Sequence, residues 1–161
     1  IIDPSNYERE YVMHILSFIL GGSSDSLLFN KLRQKNSLCY YVNSNYLYLY
    51  GMLEIVAGIQ SENASKSVEL IEEALEQLKE GKFDDDEIMK AKSTWKNALK
   101  ELLDSPSSIM NTYLVHEYYK NDLPEERIEK IDKVTKEDII ELASKLVLDT
   151  TYLLKGTNED E

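Results

Sequence analysis

The stretch from Leu38 to Ile59 constrains this chain more than any other feature. Leu38 to Tyr50 is dense in Tyr, Leu and Val, Gly51 offers a turn, and Met52 to Ile59 returns as a second β-rich run. Two such runs across a short glycine-bearing connection read as an antiparallel hairpin. Large side chains stand at both alternating sets of positions in the first run, which predicts a strand inside a sheet rather than at a bare edge.

Helical patterns surround the hairpin. Asp3 and Pro4 fit the N-cap and first position of a helix carrying Tyr7, Tyr11, Ile15, Phe18 and Ile19 at helical spacing. Gly21 and Gly22 are expected to end it through the left-handed conformation that glycine tolerates. Ser24 or Asp25 is placed to cap a short second helix with Leu28, Phe29 and Leu32, stopping near Asn36.

Beyond the hairpin, Ala64, Val68, Ile71, Leu75 and Leu78 form an apolar stripe closed by Gly81. Asp84 and Glu87 make a capping-box pair before a helix with Ile88, Ala91, Trp95, Ala98 and Leu102. Ser105-Pro106, Pro124 and Thr135 mark three further helix starts, with Ile109, Tyr113 and Leu114 in the first of them. Thr150 to Leu154 reads as a final strand, and residues 155–161 as a frayed tail. Helices segregated from a small antiparallel sheet define an α+β fold. Residues 1–161 read as one domain. Three strands are few for so many helices, which implies a strand lost ahead of Ile1.

Charge and composition exclude several classes of function. The net charge of −12 argues against nucleic acid or an anionic membrane as partner, because both need clustered cations. Tyr11 to Leu20, the longest apolar stretch, is too short to span a bilayer, and nothing resembles an export signal. Cytoplasm is the default location. The single cysteine, Cys39, excludes an internal disulfide and reads as a small buried residue.

Catalytic chemistry has little material to work with. His14 and His116 are the only histidines, and neither stands in an H-x-x-E-H or H-E-x-x-H pattern, so no metal site is expected. No G-x-S-x-G elbow selects a nucleophile, and neither phosphate-binding glycine motif is present. No catalytic residue is assigned.

Leu20-Gly21-Gly22, Ser24, Leu28-Phe29, Leu32-Arg33, then Leu38, Tyr40 and Val42 form an ordered string. It resembles the C-terminal half of the insulinase/pitrilysin peptidase family, which includes the mitochondrial processing peptidases. The long helix before Gly81, the Asp84–Lys92 stretch, "LDSPSS" and "KIDKVTKEDIIELASKL" continue the resemblance in order along nearly the whole chain.

The resemblance implies one half of a clamshell that closes over a peptide. Its zinc motif belongs to the N-terminal half, so zinc is expected there and no cofactor in this chain. The pair Arg33 and Tyr40 is implied to contact the substrate. The implied partners are a peptide and either the N-terminal half of the same protein or a homologous subunit. Whether the parent is an enzyme is left open, and the alternative is a catalytically inactive homologue that scaffolds an active relative. Each residue also has a plainer role. Arg33 lies where a helix dipole favours a cation, and Tyr40 where a strand favours a ring. Tyr41, Tyr46, Tyr48 and Tyr50 read first as cross-strand packing, with a peptide groove as the alternative.

Overall fold

A computed structural model describes residues 7–155. The expected helix start at Asp3-Pro4 lies outside the described residues, as does all of the expected tail except Lys155.

A π-helical turn, Glu8–Val12, leads into α1, Met13–Gly21. Met13, Ile15, Leu16, Ile19 and Leu20 are each at most 2% exposed. Apolar residues surround this helix because neighbours surround it: the strand Cys39–Leu47 on one side, the later helices Asp85–Leu102 and Lys136–Ser144 on others. Burial of each such side chain stabilises the fold by about 1.5–3 kcal/mol relative to exposure.

Strands β1, Cys39–Leu47, and β2, Met52–Ile59, pair antiparallel. The first strand stops before the expected Tyr50, because Tyr48–Tyr50 coil into one 3-10 turn that begins the reversal. Gly51 completes it at φ +60°. Among the described residues the sheet has only these two strands, so the expected interior place for β1 is not observed. Residues 150–154 are exposed and join no ladder, which corrects the expected last strand. A β-conformation is held by a neighbour's hydrogen bonds, and these residues meet none.

Five α-helices follow among the described residues: α2 Ala64–Lys79, α3 Asp85–Leu102, α4 Pro106–Tyr119, α5 Pro124–Lys133 and α6 Lys136–Ser144. Their ends follow the sequence signals. Gly81, at φ +70°, closes α2 through bonds from Lys82 N–H to the Gln77 carbonyl and from Gly81 N–H to that of Leu78. Glu87 accepts from Asp84 N–H at 2.8 Å. Thr135 and Asp138 cap α6 reciprocally, at 2.8 and 3.1 Å.

The buried faces are turned slightly from the expected stripes. α2 buries Ser67, Leu70, Ala74 and Leu78, with Ile71 and Leu75 half-buried beside them. α3 buries Leu99, while Ala98 is exposed. α4 buries nothing fully, and Tyr113 and Leu114 face solvent. No helix among the described residues is long and apolar enough to cross a membrane.

Candidate functional site

The corner between α1 and β1 is built from two anchors and a widened turn. Ser26, buried, accepts from Phe29 N–H and caps the segment that Ser24 or Asp25 was expected to cap. The segment is a π-helix, Phe29–Lys35, pinned to the core by the fully buried Leu28 and Leu32. At its end, Leu38 N–H donates to the Leu32 carbonyl at 2.8 Å and Ser37 N–H to the Arg33 carbonyl at 3.0 Å. This is a Schellman-like closure one residue wider than usual. It requires Ser37 to sit at φ +52°.

Arg33 emerges from this corner into solvent. Its Cζ lies 5.2 Å from the centroid of the Phe29 ring, a cation–π contact that restrains an otherwise free side chain. The guanidinium also reaches Cys39 electrostatically. Burial pushes the Cys39 thiol up, and Arg33 works against that rise. Cys39 is therefore a buried neutral thiol at the head of β1.

Tyr40 is 69% exposed, and the reason is a β-bulge. Cys39 pairs with Ile59 and Tyr41 pairs with Gly58, so Tyr40 is the extra residue opposite none. A bulge re-aims side chains, and here Tyr40 and Tyr41 both point into solvent instead of alternating. Gly58 permits it. A Cβ added there would stand 2.3 Å from Cε1 of Tyr41. Sequence reasoning missed the bulge, although a lone glycine inside a strand pattern is its usual signal.

The two glycines before the corner serve space rather than handedness. Gly22 has φ −85°, not the left-handed value expected. A Cβ on Gly21 would lie 2.7 Å from both the Cβ and the backbone nitrogen of Ser44. Ser17 fills the seam, donating from Oγ to the Ser44 carbonyl at 3.0 Å. α1 and β1 thus approach backbone to backbone, which fixes where the strand carrying Tyr40 begins.

A second polar cluster lies along α1, α3 and α5. His14 packs between Tyr46 and Trp95, with ring centroids 5.5 and 4.7 Å away. Burial, with help from the Arg127 charge, lowers its pKa to about 4, so it is a neutral packing residue. Asp122 accepts hydrogen bonds from Tyr11 Oη and Lys130 Nζ. Burial would raise its pKa, but those bonds and the charges of Lys130 and Arg127 outweigh burial and hold it below the usual range. Among the described residues no three or more His, Cys, Asp or Glu side chains converge to hold a metal. Their donor set does not fit the zinc that the resemblance assigns to another half.

Residues 1–94 match the family profile described as the peptidase M16 inactive domain. The chain is 34% identical over 152 residues to the "Probable inactive metalloprotease YmfF" of Bacillus subtilis, covering 93% of this chain and 36% of that protein. It is 32% identical over 145 residues to the "Uncharacterized zinc protease YmxG" of the same organism, covering 87% and 35%. A solved structure of a conserved protein from Enterococcus faecalis superposes with a TM-score of 0.81 at 28% identity, covering 88% of this chain and 33% of that one. The chain thus spans about a third of the length of these relatives. With the profile covering more than half of it, the chain belongs to the peptidase M16 inactive-domain family, the insulinase-type group its helix-to-strand corner resembles.

Proposed function

We propose that this non-catalytic domain forms one wall of a peptide-binding chamber, with Arg33 and Tyr40 touching the substrate backbone. The bulge at Tyr40 carries the reading: it turns a phenol outward beside the corner that exposes Arg33. A guanidinium donates to peptide carbonyls, and a phenol donates to an oxygen on which negative charge develops. Neither group hydrolyses a peptide by itself. The hydrolytic zinc belongs to a partner half, either the remainder of the same protein or a homologous subunit, and the assembly works in the cytoplasm.

The test uses the parent protein and a flexible fluorescent peptide. Arg33→Ala and Tyr40→Phe should each weaken peptide binding tenfold or more, with unchanged melting. If the parent hydrolyses the peptide, Tyr40→Phe should lower kcat as well as raise KM, and Arg33→Ala should act chiefly on KM. Full binding in the double variant would refute the proposal.

A second reading is supported by the name of the first Bacillus relative, a probable inactive metalloprotease. Here the parent binds peptides, or a zinc-bearing relative, without turnover. An H-x-x-E-H motif in the remainder of the parent selects the first reading, and its absence the second.

A further inference from the structure

A cavity of about 340 Å³ opens between the C-terminal end of α3, α4 and the start of α5. Its apolar wall is Leu99, Leu102 and Val115, and its charged wall is Asp122 and Arg127. The size lies at the lower end of small-molecule sites. None of its lining residues belongs to the Arg33–Tyr40 corner.

Two polar atoms at this cavity lack partners among the described residues. Arg127 Nε is buried and makes no hydrogen bond. Asp122 receives both of its bonds, from Tyr11 and Lys130, on Oδ2, leaving Oδ1 unused. A buried donor without an acceptor is unfavourable, so a ligand acceptor beside this guanidinium is favoured. Arg127 is not free to leave, because its Cζ stands 5.7 Å from the Trp95 ring centroid and Nη2 stands 4.0 Å from Glu10.

The local charges decide the class of ligand. Arg127 and Lys130 oppose Asp122 and Glu10, and this cluster sums to zero. A simple anion would meet the Asp122 carboxylate beside Arg127, and a simple cation would meet Arg127 beside Asp122, the two charged groups that line the cavity. A ligand with separated charges meets a complement for each. We infer that this cavity binds a small zwitterion of the amino-acid or dipeptide class. The carboxylate accepts from Arg127, the ammonium donates to Asp122 Oδ1, and apolar side chains lie against Leu99, Leu102 and Val115.

Trp95 is the only tryptophan and lies against Arg127, so it is a built-in reporter. The probe is the dipeptide Leu-Leu, titrated into the 161-residue chain by fluorescence with calorimetry in parallel. The expected result is saturable binding, with neither acetate nor N-acetyl-leucyl-leucinamide competing. Arg127→Gln should weaken it at least tenfold. Val115→Phe, which fills the apolar wall, should abolish it with an unchanged circular dichroism spectrum, and it keeps the test decisive where the arginine variant fails to fold. No heat or fluorescence change with Leu-Leu overturns the inference. So does equal binding of the capped, uncharged peptide, or full competition by acetate.

Discussion

The backbone of Gly21 meets Ser44 so closely that a single added methyl group would sit 2.7 Å from the Ser44 backbone nitrogen. Backbone cannot swing aside as a side chain can. Gly21→Ala should therefore destabilise the fold by about 1–3 kcal/mol, the usual cost of overpacking. A helix interior would normally gain from that change by about 1 kcal/mol, so the sign itself is diagnostic. Thermal melting checks it, with an expected fall of several degrees for a chain of this size.

Gly58→Ala should behave differently. The three atoms nearest its added carbon all belong to the exposed Tyr41 ring, which can move away. The stability loss should stay below about 1 kcal/mol, while Tyr41 leaves its place and the neighbouring bulge relaxes. Denaturant unfolding measures the first effect. The amide shifts of Tyr40 and Tyr41 report the second.

These two glycines show how far the sequence could be read. The hairpin, the helix ends at Gly81, Pro106 and Pro124, and the Asp84–Glu87 capping box follow from local rules, because turns and caps are satisfied by residues a few positions apart. The role of Gly21 was not legible, because its constraint is Ser44, on another element. The bulge at Tyr40 was missed for a related reason: it is set by pairing across the sheet, and only Gly58 hinted at it. The strand expected at 150–154 failed similarly, since β-conformation depends on a partner. The face of α2 was read from its apolar residues alone, and Ser67, polar by composition, is nonetheless buried on it.

Ser37→Gly should stabilise the chain. Ser37 holds a left-handed backbone at φ +52° in the closure before β1. A non-glycine residue there costs roughly 1–2 kcal/mol, against about 0.5–1 kcal/mol of extra unfolded-state entropy brought by glycine. The balance is a gain of about 0.5 kcal/mol, readable by urea unfolding. Ser37→Val, β-branched in the same conformation, should lose more than 1 kcal/mol.

Acid should weaken the fold through His14. Its pKa is lowered to about 4 in the folded chain, from 6.5. Between those values the unfolded chain binds the extra proton, so stability rises with pH there. The contribution is complete above pH 6.5 and is lost as pH falls toward 4, amounting to up to about 3 kcal/mol. Asp122, whose pKa is depressed, loses its contribution only at still lower pH. Unfolding free energies measured from pH 7.5 to 4.5 should show this slope, and His14→Phe should flatten it.

Photo-crosslinking from position 40 tests the central claim most directly. A benzophenone side chain replaces Tyr40 in the parent protein, with a control at Tyr118, which is 80% exposed on α4. With a labelled flexible peptide, the account predicts strong capture at position 40, suppressed by unlabelled peptide and by Arg33→Ala, and little at position 118. Capture at position 118 equal to that at 40, or none at 40 from a folded protein that binds the peptide, would contradict it.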